Sequence, residues 1–417
     1  MKSIDSLQKQ LQLISLEKAY DRQALDESFQ AALQHSHLNS SCWFPIRFGK
    51  SFYNALNQYV VEVEYAAGYA VSPDSEFEPG KCVSFFYRDK EGKHPVQTLA
   101  SGGTVQRVEG RLMQISLEVA DTAFQLHRIA EHDDVGVRIA FDDTTYQVMT
   151  EVLQKAKSLE SEKMIHLREV LIGAQEPQFR DLPRMIFDNL NRSQNEAVQC
   201  ILEAREVAVV HGPPGTGKTT TMVEAIIETT RREPQVLVCA PSNAAVDWIS
   251  EKLIERGVRV VRIGNPLRIN RQLMEHTYER QYAAHPDYPE LWGIRKLIRD
   301  IHAGETPSRQ RANRLHRLLQ HRDELEVKIH EEVLQDAEVI TCTLVGSAHR
   351  LLGGRHFGTL FIDEATQSLE AACWAAILRA DRVIFAGDHQ QLPPTIQCPE
   401  AERGGLSVTT EAEGGRN

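Results

Sequence analysis

Residues His211-Gly212-Pro213-Pro214-Gly215-Thr216-Gly217-Lys218-Thr219-Thr220 spell a complete G-x-x-x-x-G-K-[ST] pattern. Its glycines let bare backbone N–H groups wrap a triphosphate at the positive end of the helix that follows. Lys218 is placed to reach the β- and γ-phosphates, and the Thr219 hydroxyl to bind Mg²⁺. Much later, Phe361-Ile362-Asp363-Glu364-Ala365-Thr366-Gln367 ends an apolar run on two carboxylates. Asp363 suits a Mg²⁺ held through water, and Glu364 the orientation and deprotonation of an attacking water. A third segment, Gly387-Asp388-His389-Gln390-Gln391-Leu392-Pro393-Pro394, offers Gln391 as a hydrogen-bonding sensor of the γ-phosphate. Alone, the second segment is any acidic turn, which the phosphate loop upstream sharpens; the third is on its own a polar loop and no more, made sharper by the sequence as a whole. The chemistry implied is Mg²⁺-assisted hydrolysis of a nucleoside triphosphate by water.

Such a loop needs a strand before it and a helix after it. Ala208-Val209-Val210 reads as a short buried strand, and Met222-Val223-Glu224-Ala225-Ile226-Ile227 as a helix. From Asn191 onward, strands and helices alternate. Candidate strands are 207–210, 236–240, 258–263, 339–343, 360–363 and 383–387, all short apolar runs that predict an α/β fold with a parallel sheet buried on both faces. Residues 266–336 interrupt it without a convincing strand. Ile294, Leu297, Ile298 and Ile301 predict one helix there, and Leu315, Leu318, Leu319, Leu325 and Ile329 a second, together an antiparallel stalk. The stalk carries Arg295, Arg299, Arg309, Arg311, Arg314, Arg317 and Arg322. These make either a solvated face paired with Glu324, Glu326 and Glu331, or a nucleic-acid contact.

Upstream, residues 1–41 read as helical, with Leu7, Leu11, Ile14 and Leu16 near a 3.6 period. Residues 42–150 contain alternating or aromatic runs separated by Gly80, Gly92 and Gly102-Gly103, the texture of a small antiparallel sheet or barrel. Residues 151–189 form a connecting helix and linker, 190–265 and 337–398 the two parts of the nucleotide-binding lobe, and 399–417 a polar tail. A chain of 417 residues holds two or three such domains. The net charge of -11 argues mildly against nucleic acid, although a basic groove can sit on an acidic body. Seven dispersed cysteines without a C-x-x-C pair suggest reduced thiols rather than disulfides or zinc. There is no apolar leader and no membrane-length apolar segment, so a soluble cytoplasmic protein without a membrane partner is expected.

Five segments in order resemble the superfamily 1 helicases, closely the 5′→3′ subgroup containing the nonsense-mediated-decay and immunoglobulin mu-binding helicases. They are Leu190-Asn191-Arg192-Ser193-Gln194-Asn195-Glu196-Ala197-Val198, Gly212–Thr220, Ala240-Pro241-Ser242-Asn243-Ala244-Ala245-Val246-Asp247, Asp363–Gln367 and Gly387–Pro394. The resemblance covers roughly half the chain. It implies a RecA-like P-loop NTPase lobe with a β-rich accessory barrel before it and an inserted helical stalk; the barrel and stalk match by placement alone. It also implies ATP as the nucleotide and single-stranded DNA or RNA as the partner. Gln194 would recognise adenine with its carboxamide, although Ser193-Gln194 also reads as a helix start capped by Ser193. Ser242 and Asn243, with Thr341 and Thr343, would grip the backbone of the strand without reading sequence; unaided, Ser242-Asn243 is an ordinary strand-to-helix turn.

Helicases of this kind use a second α/β lobe whose arginines complete the site. Here the family-like text stops after Val408, and Thr410-Glu411-Ala412-Glu413-Gly414-Gly415-Arg416-Asn417 has no periodicity. The resemblance thus implies a front half that binds nucleotide and is weak or inactive as a motor alone. A non-catalytic, nucleotide-modulated nucleic-acid-binding module and a half-enzyme completed by a separately encoded second lobe are the alternatives.

Overall fold

The computed structural model describes residues 2–35, 40–53, 58–66, 71–90, 95–213, 215–303, 309–388 and 390–406. The chain forms two compact units. One comprises Leu13–Gln147 with Ile396–Arg403, the other Met1–Gln12, Val148–Thr395 and Gly404 onward. The boundary therefore falls within the first helix, α1 (Lys2–Gln34), rather than at residue 41.

In the first unit, strands β1 (Cys42–Trp43), β2 (Ile46–Tyr53), β3 (Tyr59–Tyr65), β4 (Cys82–Asp89), β5 (Gln97–Glu109), β6 (Leu112–Leu117) and β7 (Asp133–Ile139) make an antiparallel sheet in the order β1-β7-β4-β5-β6-β3-β2. β1 and β2 are two halves of one stretch, broken at the cis Phe44–Pro45 bond. The two borders of the sheet thus belong to one segment, and the sheet closes into a barrel. Alternation sends Trp43, Val63, Tyr65, Phe85, Met113 and Ile115 inward, all at 0% exposure. Helix α2 (Asp121–Ala130) adds Leu126 to this core, and α3 (Asp143–Lys157) leads out of the unit.

The second unit is α/β. After α4 (Glu162–Leu171) come α5 (Arg192–Glu203), β8 (Val207–His211), α6 (Lys218–Thr230), β9 (Val236–Ala240), α7 (Asn243–Glu255) and β10 (Val260–Arg262). The insertion supplies α8 (Tyr278–Ala284), α9 (Tyr288–Ala303) and α10 (Arg309–Gln335). The lobe resumes with β11 (Val339–Thr343), β12 (Phe357–Ile362), α11 (Glu370–Ile377) and β13 (Ala380–Gly387). Every pairing in its six-stranded sheet is parallel, in the order β10-β11-β9-β12-β13-β8. The apolar runs match this burial: all five residues of β9 are buried, as are Leu360, Phe361 and Ile362 of β12. β8 departs from the expectation of a strand buried on both faces. It lies at the sheet's border, pairs with β13 alone among the described strands, and leaves Val209 70% exposed.

The insertion is a helix pair as expected, preceded by the unforeseen α8. Arg295 pairs with Glu326 (2.7 Å) and Lys328 with Asp287 (2.6 Å), which fixes α9 and α10 antiparallel. Arg322 pairs with its neighbour Asp323, while Glu331 pairs with Arg355 outside the stalk. Residues 399–406 are not a loose polar tail. Pro399–Arg403 is helical (α12), and Cys398, Ala401 and Leu406 are buried. Within the barrel unit, the buried Glu17 carboxylate accepts the N–H groups of Gln397 (2.7 Å) and Cys398 (2.9 Å). Residues 407–417 lie outside the described residues. No described helix is long and apolar enough to cross a membrane.

Candidate nucleotide site

Three neighbouring strands, β8, β13 and β12, end at one edge of the sheet and deliver the three segments singled out above. The turn after β8 contains Gly215 and Gly217, each at φ 81°, a left-handed conformation that side chains resist. Successive N–H groups in such a turn, opening into the first turn of α6, form an anion-binding concavity. Gly212 donates its N–H to Gly387 O (3.4 Å), joining the loop to the end of β13. Thr216 Oγ1 donates to Pro213 O (2.8 Å), while Pro213 itself is exposed. Lys218 is folded back on the loop, its Nζ donating to Gly212 O (2.5 Å) and Pro213 O (3.5 Å). Thr219 is half-buried and Thr220 exposed in the same helical turn; Pro214 lies outside the described residues.

Gln194 reaches this loop from α5. Its Nε2 donates to Thr216 O (3.1 Å), and its Oε1 accepts the N–H of Asn191 (3.0 Å). Asn191 Oδ1 in turn accepts the N–H of Gln194 (2.9 Å), so the helix starts with a reciprocal capping box. The cap is Asn191, not Ser193. The N-x-x-Q spacing was the available signal, because a cap bonds the residue three positions on.

At the end of β12, Asp363 is 3% exposed. Burial, reinforced by the neighbouring Glu364 charge, pushes its carboxyl up to about 6, while the Glu364 N–H and the Lys218 ammonium pull it down. Glu364 sits at φ 51°, the one non-glycine residue with positive φ among those described. A side chain there carries backbone strain of about 1–2 kcal/mol, of a kind that collects at functional sites. The Glu364 Oε2 accepts from Gln367 Nε2 (3.0 Å). Next door, Gln391 donates its N–H to Asp388 O (3.0 Å) and its Nε2 to Asp388 Oδ2 (3.4 Å). The Gln390 N–H, bonded to Asp388 Oδ1, holds that carboxyl below its usual range. Thr366 Oγ1 accepts the Asp388 N–H (3.3 Å), linking the carboxylate turn to the sensor loop, a contact no spacing rule announces.

The raised Asp363 value carries a stability consequence. A carboxyl that holds its proton better folded than unfolded imposes no penalty below about pH 4, and the full penalty above about pH 6. Asp363→Asn is therefore expected to stabilise the fold at about pH 7.5 by up to roughly 3 kcal/mol, and progressively less toward pH 5. Thermal melts across that range check it; a gain independent of pH would contradict it.

The four strand-contact candidates separate. Ser242 is exposed and caps α7, its Oγ accepting the Ala245 N–H (3.2 Å). Asn243 is half-buried, and its Oδ1 accepts from Arg262 Nη2 (2.8 Å). Thr343 is half-buried at the end of β11, its Oγ1 accepting the Gly346 N–H (3.1 Å). Thr341 has 0% exposure, its hydroxyl bonded to Ser250 Oγ (2.9 Å). Thr341 belongs to the core and is withdrawn as a strand contact. It shares a face of β11 with Thr343 but lies two residues deeper, where Ser250 of α7 covers it.

A glycine-rich loop between strand and helix, beside a carboxylate pair on an all-parallel sheet, defines a P-loop NTPase lobe of RecA-like architecture. Residues 189–317 and 302–399, together about half of the chain, match the family model described as AAA domain. The hamster (Mesocricetus auratus) DNA-binding protein SMUBP-2 is 31% identical over 96% of this chain and 41% of its own length. The DNA polymerase alpha-associated DNA helicase A of Schizosaccharomyces pombe is 30% identical over 78% and 51%, and the ATP-dependent helicase upf1 of the same yeast 35% identical over 52% and 24%. The chain belongs to this AAA domain family, and the relatives it matches are Upf1-like superfamily 1 helicases. It spans about half the length, or less, of these curated relatives.

Proposed function

We propose that this chain binds ATP with Mg²⁺ at the β8–α6 turn, hydrolyses it with water, and couples that site to a grip on single-stranded DNA or RNA. The observation that carries this reading is the meeting of the loop, the Asp363–Glu364 pair and Gln391 at the ends of adjacent strands. The loop N–H groups and Lys218 bind the phosphates, and Lys218 exchanges its present carbonyl partners for them. Gln194 faces the base, and Gln391 contacts the γ-phosphate. The donor set fits Mg²⁺, since the Thr219 hydroxyl and Asp363 carboxylate are hard oxygens. When bound, Mg²⁺ supplies neutralisation of phosphate charge. Glu364 orients a water and takes its proton as that oxygen bonds to the terminal phosphorus and the anhydride P–O bond to ADP breaks. Ser242, Asn243 and Thr343 hold the strand by its backbone.

The test is equilibrium titration with a fluorescent ATP analogue, followed by steady-state hydrolysis with and without a single strand. Saturable Mg²⁺-dependent binding and strand-sensitive hydrolysis are expected. Binding without turnover would leave a nucleotide-gated strand-binding module, and absence of nucleotide binding would overturn the reading.

A further inference from the structure

Behind Asn243 lies an arginine that the sequence pattern placed inside a strand. Arg262, the last residue of β10, has 0% exposure. Its Nε donates to Asp247 Oδ1 (2.9 Å), Nη1 to Ile263 O (2.5 Å) and Nη2 to Asn243 Oδ1 (2.8 Å). The second Asp247 oxygen accepts the Asn270 N–H (2.8 Å), fixing the carboxylate from the other side. Gly264 leaves room for the guanidinium: a Cβ there would stand 2.9 Å from Nη1.

A guanidinium has donors only. The carboxamide of Asn243 must therefore present its oxygen inward, which settles the usual ambiguity of an amide's orientation. Its Nδ2 is then the outward branch, and it has no hydrogen-bond partner among the described residues. Those two free N–H donors sit at the first residue of α7, where the helix end favours phosphate. For stability alone, an apolar side chain would serve at the Arg262 position as well as a buried ion pair.

We infer that Arg262, braced by Asp247, is a positioning residue that locks Asn243 with its amide N–H groups turned toward the phosphates of the bound strand. The inference rests on the proposed strand contact at Asn243. It makes Asn243 a donor fixed before the strand arrives, so little side-chain ordering remains to oppose binding.

The experiment is a double-mutant cycle on strand affinity, read by fluorescence anisotropy with a labelled oligothymidylate and the full chain. Arg262→Lys keeps the charge beside Asp247 but loses the fork that also reaches Asn243; it is expected to weaken binding about fivefold, and Asn243→Ala about tenfold. In the Asn243→Ala background, Arg262→Lys is expected to add nothing. Additive losses would mean that Arg262 acts through general structure and would overturn the inference alone. Asn243→Asp guards against misfolding. It retains the bond to Arg262, with an unchanged or higher melting temperature, yet sets a carboxylate oxygen against the phosphates and should weaken binding at least about tenfold. Unchanged affinity in Asn243→Asp would also overturn it. Nucleotide binding by the wild type without any strand binding would instead remove the underlying reading.

Discussion

Lys218→Ala is expected to weaken binding of ATP by at least about a hundredfold, while leaving the melting temperature of the nucleotide-free chain nearly unchanged. In this structure the ammonium donates to two loop carbonyls, Gly212 O and Pro213 O, from a half-exposed side chain. Those carbonyls can turn to water when the side chain is removed, so the fold loses little. With nucleotide, the same cation is the one side-chain charge at the loop that opposes the phosphates. Losing it removes charge-assisted hydrogen bonds to groups bearing full negative charge, worth about 3 kcal/mol or more. Titration with a fluorescent ATP analogue in Mg²⁺ measures the difference. An affinity within about threefold of wild type would show that the β8–α6 turn does not hold the phosphates.

Glu364→Gln is expected to do the reverse, keeping nucleotide affinity within about threefold and slowing hydrolysis by about 10²–10⁴. Glutamine keeps the shape of the side chain and can still accept from Gln367 Nε2 through its amide oxygen. It cannot take a proton from water. The left-handed backbone at position 364 belongs to the turn after β12, so glutamine inherits the strain and the stability of the fold is unchanged. Single-turnover hydrolysis separates the chemical step from product release. An unaltered single-turnover rate would assign the general base to another group.

Much of this was legible in the residues. The strand before the phosphate loop was expected over 207–210 and runs Val207–His211, because an apolar run followed by a glycine turn has few alternatives. The runs at 236–240 and 339–343 appear with those bounds. What escaped depends on contacts between distant parts of the chain. Thr341 and Thr343 look alike in sequence, yet Ser250 of α7 takes the first into the core while the second, at the end of β11, stays half-buried. The charge of Arg262 inside the expected strand 258–263 has no partner in sequence until Asp247 and Asn243, contributed by α7, surround it. The positive φ of Glu364 has no spacing signature, since that conformation is imposed by the turn and not chosen by the side chain.

The border position of β8 has a consequence of its own. On its open side β8 pairs with no described strand, and Val209 is exposed there, close before the turn proposed to wrap the phosphates. Another chain that zips onto this border would stiffen or twist the strand from which the turn springs. If another chain did so, ligand occupancy and self-association would draw on the same few residues, and each would shift the other by the same factor. Nucleotide would act as a solubility agent for this chain, or as a glue, with the sign set by which loop geometry the added strand prefers. Light scattering as a function of ATP concentration turns a border strand into a thermodynamic readout of the site beside it.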